Sequence, residues 1–253
     1  MKQQALVTQQ FGNTANAYLS STVHSTGADL GALQNIAARY PTPKVLDLGC
    51  GAGHVSFALA PHSDSVIAYD VAEQMLDVVA NSAKENNLGN VQTQQGCAER
   101  LPFANGSFDI VVTRFSAHHW QDVSAALREV HRVLRSGDIF VVIDVVAPEA
   151  ALYDTTLQAV ELLRDASHVR DYRLTEWSAM LSASAFTHAC RSEWKLVMQF
   201  NQWIARMRTP PERVQAIRSL FDSAPEEAAA YFMVQDDYSF SIDAALLEAK
   251  REN

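Results

Sequence analysis

Asp47, Gly49, Gly51 and Gly53 fall within seven residues in Val45-Leu46-Asp47-Leu48-Gly49-Cys50-Gly51-Ala52-Gly53, an apolar run that ends in three alternate glycines. Glycine lets the backbone turn sharply and meet a ligand with no side chain in the way, and a helix starting there offers free N–H groups to an anion. The dinucleotide fingerprint Gly-x-Gly-x-x-Gly needs glycine or alanine at its sixth position, and counting from Gly49 that position is His54. Asp47 would repel a pyrophosphate but welcome an ammonium group. Both details disfavour a nicotinamide-dependent oxidoreductase. Asp70 ends a second apolar stretch 21 residues after Gly49, where a carboxylate can accept both hydroxyls of a ribose. It also stands where it could cap a helix beginning near Ala72.

Two further groups could do chemistry. His118 and His119 follow the apolar run Phe108 to Thr113, and an imidazole near neutrality can accept a proton from a protonated nucleophile. The alternative is that one caps the next helix and the other packs in the core. Arg114, just before them, suits either a ligand carboxylate or an ion pair with a nearby acid.

These residues need a scaffold that presents them together. Between residues 28 and 146 helical and strand patterns alternate. Strands are expected at Lys44 to Leu48, Ser65 to Tyr69, Asn90 to Gln95, Phe108 to Thr113 and Ile139 to Val146, with helices such as Gly53 to Ala60, Ala72 to Glu85 and Ser124 to Arg135 between them. Gly137 is read as a helix breaker. Strands separated by helices make a parallel sheet covered on both faces, because parallel neighbours need crossover connections. Runs such as Ile110-Val111-Val112 and Phe140-Val141-Val142-Ile143, apolar on both faces, fit that burial. In such a sheet the ligand sits at the carboxyl ends of the strands, where Asp47, Gly49, Asp70 and the histidines fall.

Composition narrows the function class. The 253 residues are 48% hydrophobic and 19% charged, a globular composition, and the formal charge is -9, which disfavours general nucleic-acid binding. Residues 164–218 reverse the sign, with nine Lys and Arg against five Asp and Glu, and hold Trp177, Trp194 and Trp203. Arg164, Arg170 and Arg206 with Trp177 and Trp203 are expected to line a pocket for an aromatic or anionic small molecule. Cys50, Cys97 and Cys190 are scattered, so neither disulfides nor a metal site is indicated. No signal peptide or membrane span is indicated, and a cytoplasmic location is expected.

Taken together, Val45 to Gly53, Asp70 with Met75, Gly96-Cys97-Ala98-Glu99-Arg100-Leu101-Pro102-Phe103, Ser107 to Val112 and Ala126 to Leu134 resemble the motifs of the class I S-adenosylmethionine-dependent methyltransferases. The phrase through Leu101-Pro102-Phe103 and Phe108-Asp109 is similar to the small-molecule branch related to ubiquinone and menaquinone C-methyltransferases. Ala117-His118-His119 and Arg164 to Arg170 are similar to a group of uncharacterised bacterial members. The resemblance implies an α/β fold, a doubly wound, mostly parallel seven-stranded Rossmann-like sheet. Thr187 to Phe200 would be the sixth strand and Tyr238 to Leu247 the seventh.

It implies three parts: an N-terminal helical cover (1–27) with Tyr18 and His24 facing the methionine end, a cofactor-binding core (28–146), and a segment (147–253) that completes the sheet and caps the substrate helically. It also implies S-adenosylmethionine as cofactor and a small-molecule acceptor. Gly49, Cys50, Gly51 and Gly53 with Asp47 would hold the methionine end, and Asp70 and Val71 the ribose. Met75, Cys97 and Ala98 would hold the adenine. The family often has aspartate at Cys97; a thiol accepts poorly, and Glu99 is the expected substitute. The rival is a non-catalytic or regulatory protein that binds the same cofactor.

Overall fold

The computed structural model describes residues 2–12 and 27–252; Tyr18 and His24 lie outside them. The strands are β1 (Lys44–Leu48), β2 (Ser65–Asp70), β3 (Val91–Gln95), β4 (Phe108–Arg114), β5 (Leu134–Ala147), β6 (Tyr172–Arg173), β7 (Phe186–Met198) and β8 (Phe240–Arg251). Seven of them form one sheet in the order β3-β2-β1-β4-β5-β8-β7. β1 to β5 run parallel to one another, and β8 runs antiparallel to both β5 and β7. The expected seven-stranded, mostly parallel sheet is therefore present. The two-residue β6, which pairs with Val146 and Ala147 at the end of β5, is not legible in the sequence.

The helices are α1 (Gln3–Gly12), α2 (Ala28–Ala37), α3 (His54–Leu59), α4 (Glu73–Glu85), α5 (Val123–Val133), α6 (Ala151–Arg164), α7 (Leu174–Ala183), α8 (Phe200–Arg206), α9 (Pro211–Asp222) and α10 (Glu226–Tyr231). None among the described residues is long and apolar enough to cross a membrane. The last three stand between β7 and β8, where helices are expected.

Alternation along the strands divides the core. Leu46, Val111, Phe140 and Val142 pack on one face against Leu127 and Val130 of α5 and Trp177 and Leu181 of α7. Val45, Ile110, Val112 and Val141 pack on the other against Leu33 and Ile36 of α2 and Val55 and Leu59 of α3. Fully burying one such Leu or Val is worth roughly 1.5–3 kcal/mol relative to exposure. A third cluster joins Val145 of β5 to Phe200, Trp203, Ile217 and Phe221 of the trailing helices.

α5 shows how the sequence sets its own limits. Val123, Ala126, Leu127, Val130 and Val133 are buried at helical spacing, and the Asp122 carboxylate accepts the Ala125 N–H as N-cap. The helix stops at Val133, and β5 begins directly at Leu134. Gly137, read as a helix breaker, lies inside β5 with a φ of +83°, close to the register slip between Phe108 and Ile110. Glycine there permits a bulge rather than a turn.

α5 also holds the loop that follows β3. Arg132 donates to the carbonyls of Phe103 (2.6 Å) and Leu101 (2.8 Å) and to both oxygens of Glu129 (2.8 Å each), while Glu129 accepts the Leu101 N–H at 2.7 Å. This clamp accounts for the Leu101-Pro102-Phe103 and Arg128-Glu129 motifs as one unit. Arg132→Ala is expected to cost about 2 kcal/mol, from hydrogen bonds made by a charged group that is itself partly exposed. A thermal melt should fall by roughly 4–8 °C.

Candidate functional site

The three glycines do different work. All have left-handed backbones, with φ of +75° at Gly49, +50° at Gly51 and +87° at Gly53. A Cβ on Gly49 would come within 1.9 Å of Ser116 Oγ, so glycine there lets the β1 loop meet the β4 loop. A Cβ on Gly53 would strike Phe57 and Val79 at 2.9 Å, so that glycine serves the packing of α3 on α4. A Cβ on Gly51 meets nothing within 4 Å: it would project into a cavity.

That cavity opens at the carboxyl ends of β1, β2 and β4. Asp47, Gly49, Cys50 and Gly51 line one side; Asp70, Val71 and Met75 another; Cys97, Ala98 and Glu99 a third; and Arg114 and His119 complete it. The residues expected at the cofactor are thus brought together, with the exception of Gly53. His118 is not in this wall either. Sequence reasoning missed Ser116, Trp120 and Gln121, and also Gln3, Gln4 and Val7 of α1, which cover the cavity together with Phe11. No local pattern marks them, because they meet the site only through long-range packing.

Both acids are anchored from below. Asp70 accepts Gly51 N–H on one oxygen and Ala72 N–H on the other, each at 2.9 Å, so it braces the glycine loop and the start of α4 at once. A carboxylate oxygen has a second lone pair, which leaves capacity for a ligand hydroxyl. Burial pushes the Asp70 carboxyl above its ordinary range. Asp47 accepts the Ser56 N–H (3.0 Å) and hydroxyl (2.6 Å) on one oxygen. Its burial pushes it up to about 7, more than those two bonds pull it down. Arg114 donates through Nε to Asp29 at 2.5 Å while lining the cavity, so the ion pair and the ligand-facing position coexist. Glu99 accepts the Gln121 N–H at 2.9 Å, which ties the wall formed by Cys97, Ala98 and Glu99 to the turn carrying the histidines.

A second cavity adjoins the first, and Phe11, Phe115 and His119 line both. Its other walls include His118, Glu161, Arg164, Asp171, Trp203 and Arg206. Arg164 donates to the Trp203 carbonyl at 3.1 Å, and its guanidinium lies 4.9 Å over the Trp203 ring. Of the basic, Trp-rich set expected around a pocket, Arg164, Arg206 and Trp203 are there. Arg170 and Trp177 are not. Arg170 is held by Asp154 (3.0 Å) and Glu176 (3.1 Å), and Trp177 is 1% exposed in the core.

The histidines sit on a short 3-10 turn, Ala117–His119, and α5 takes its cap from Asp122 instead. Their environments diverge. Burial alone would depress His118, but Asp144 at 2.6 Å from Nδ1 outweighs it and holds the imidazole up at about 9. For His119 burial and the neighbouring His118 charge act together, pushing it down to about 4. Its Nδ1 lies 3.1 Å from the Ser167 carbonyl, which can only accept, so that nitrogen carries the proton. The sequence does contain a signal for Asp144: one acid in the apolar run Ile139 to Val146 is costly without a partner.

Residues 46–142 match the methyltransferase domain family. The chain is 44% identical over 203 residues to the uncharacterized protein YafE of Escherichia coli (strain K12), covering 80% of this chain and 98% of that one. It is 37% identical to the uncharacterized methyltransferase YcgJ of Bacillus subtilis (strain 168), over 94% and 96% of the two chains. The crystal structure of YcgJ superposes with a TM-score of 0.86 over 89% of this chain and 99% of that one, at 36% identity. A demethylmenaquinone methyltransferase of Lactococcus lactis is 36% identical over 47% of each chain.

Because the folded Asp47 titrates near 7, above the ordinary carboxylate value, its protonated form is the one folding favours. The stability it contributes is present in acid and lost as pH rises through 7. Asp47→Asn is therefore expected to gain in melting temperature over the unsubstituted chain between pH 6 and pH 8.5, without added ligand, and paired melts across that range check it.

Proposed function

We propose, from the premise that the chain belongs to the S-adenosylmethionine-dependent methyltransferase family, that it moves a methyl group from that cofactor in the first cavity to a small molecule in the second. The observation that carries this reading is the shared wall. Phe11, Phe115 and His119 face both spaces, so ligands filling the two cavities would lie against the same three side chains.

The first cavity fits the cofactor in chemistry. Space over Gly51 admits a ligand against bare backbone. Asp47, buried and acidic, would hold the ammonium of the methionine end, and Arg114 its carboxylate. Asp70 would take the ribose hydroxyls; Val71 and Met75 would pack on the adenine side, with Cys97, Ala98 and Glu99 along the adenine edge. Bound there, S-adenosylmethionine would supply an electrophilic methyl group on a sulfonium. The protein's part is alignment and exclusion of water, which favours dispersal of charge. α1 serves both, since Gln3 donates to the Ser167 carbonyl at 2.6 Å, Gln10 donates to the Met207 carbonyl at 2.9 Å, and Phe11 packs edge-on to His119.

The small-molecule acceptor is supported by the second cavity beside the first and by the likeness to demethylmenaquinone methyltransferases. Its wall joins Trp203 and Met198 to Arg164 and Arg206, which suits an acceptor with an apolar body and a polar end.

Calorimetry with S-adenosylhomocysteine tests the first cavity. Binding is expected for the unsubstituted chain and not for NAD or NADP. Gly51→Val should lose at least tenfold in affinity, about 1.4 kcal/mol or more, because the side chain enters the ligand's space. Both substitutions strain a left-handed backbone, and Gly53→Val, whose side chain also strikes Phe57 and Val79, should lower the melting temperature further without entering the cavity. Stabilisation by the dinucleotides alone would overturn the assignment. Release of S-adenosylhomocysteine with an acceptor library separates the enzyme from a regulatory protein that only binds the cofactor.

A further inference from the structure

We propose that Asp171 selects the methyl acceptor: its buried carboxyl takes a hydrogen bond from a hydroxyl or N–H group that is not the atom methylated, so the acceptor carries both a nucleophile and a separate donor. The proposal rests on the reading that the second cavity receives the acceptor.

Asp171 follows directly on the stretch Arg164 to Arg170, and that stretch is folded against the histidine turn. Val169 and Arg170 donate their N–H groups to the His118 carbonyl at 2.9 and 3.2 Å, and the Ser167 carbonyl takes His119 Nδ1 at 3.1 Å. Gln158 of α6 then holds Asp171 by its backbone. Gln158 Nε2 donates to the Asp171 carbonyl at 2.8 Å and to Asp154 at 3.0 Å, so Oε1 is the end that accepts Asp171 N–H at 3.1 Å. These bonds set the residue in the wall of the second cavity without using its carboxyl.

Asp171 is 1% exposed, and its Oδ2 has no hydrogen-bond partner among the described residues. Two ring nitrogens stand near it, and both already donate elsewhere. His168 Nε2 is 3.8 Å from Oδ2 but donates to Gln158 Oε1 at 3.1 Å; His118 Nδ1 is 3.9 Å from Oδ1 but donates to Asp144 at 2.6 Å. Neither approach to Asp171 is a hydrogen bond. The other acids nearby differ. Asp144 also accepts Ala117 N–H and Val145 N–H, and Asp154 accepts Arg170, Arg173 and Gln158. Asp165 has one unbonded oxygen as well, but its other oxygen takes Ser167 twice at 2.7 Å, and it lines neither cavity. A buried carboxyl oxygen without a donor costs the fold stability, and a donor carried by a ligand removes that cost. The argument holds for either protonation state of Asp171, because each keeps an oxygen that only accepts.

Asp171 lines the second cavity alone, whereas Phe11, Phe115 and His119 form the wall common to both. The methyl group is handed over at that common wall, so the nucleophile lies there. His118 links the two places: its ring is 4.3 Å from that of His119, and its Nδ1 is 3.9 Å from Asp171. A donor at Asp171 is thus a different group of the same molecule. Val145, Leu196, Met198 and Ile242, from three adjacent strands, give the cavity an apolar side, with Leu196 and Ile242 paired across β7 and β8. The frame that joins nucleophile and donor is therefore apolar.

The test is methyl transfer, read as released S-adenosylhomocysteine, across matched pairs: 3-(hydroxymethyl)phenol with 3-(methoxymethyl)phenol, 3-hydroxybenzamide with its N,N-dimethyl form, and 3-aminobenzyl alcohol with its methyl ether. Each pair keeps one candidate nucleophile and gains or loses the second donor. The member with the free donor is expected to show at least a tenfold higher kcat/KM. Asp171→Leu should bring the members of each pair within about twofold by slowing the free-donor member, with affinity for S-adenosylhomocysteine within about twofold of the parent. Asp171→Asn, which keeps an accepting oxygen, should retain the direction of the preference. A readout without any acceptor is the melting temperature: ligand-free Asp171→Leu should melt at or above the parent, since it removes an unpaired oxygen at nearly constant size. A fall of more than about 4 °C would make Asp171 a structural partner and overturn the proposal. Equal transfer to both members of every pair, or a preference that survives Asp171→Leu, would overturn it while leaving the second cavity as the acceptor site. No transfer to any member by a protein that binds S-adenosylhomocysteine would overturn that reading of the second cavity, and the proposal with it.

Discussion

A parallel sheet covered on both faces can carry polar chemistry only where its strands end. Inside, Val45 to Leu48 and Ile110 to Thr113 are almost fully buried, and a charged group there needs partners at hand. Asp47, Asp70, Arg114 and Asp144 meet that requirement near the strand ends. Each is held by backbone N–H groups, a hydroxyl or an opposite charge. Every other feature of the site, including the left-handed glycines and the turn that carries the histidines, lies along the same line.

The sheet was legible because its signal is local. Apolar runs of strand length between helical stretches predict the central strands within a few residues, and the glycine loop and Asp70 carry their geometry in their types. What was hidden depends on residues far apart in the chain. β6 is two residues long and is defined only by its partner on β5. Gly53 looks like a third ligand-facing glycine, yet its constraint comes from Phe57 and Val79. His118 and His119 are adjacent and alike in type, yet they bond to different distant partners, Asp144, 26 residues on from His118, and Ser167, 48 residues on from His119.

Charge sums behave similarly. The basic stretch 164–218 suggests a patch open to a ligand, but Arg170 and Arg173 are spent on Asp154 and Arg191 on Glu248. Arg164 and Arg206 are the members that reach the second cavity, and Arg164 does so while paired to Glu161. Net charge counts these groups alike, whereas burial decides which of them a ligand can feel.

Phe11 is one of the three residues in the wall between the cavities, and it belongs to a helix tied down by Gln3 and Gln10. Whatever fills one space presses on the side chains that shape the other. Such coupling is reciprocal by thermodynamic necessity: a factor by which the cofactor changes the acceptor's affinity is the factor by which the acceptor changes the cofactor's. The spent cofactor and the methylated product, each smaller or larger by one methyl group than the pair that entered, alter that factor. Release of either one therefore changes the affinity for the other by the same factor, through the side chains the two spaces share.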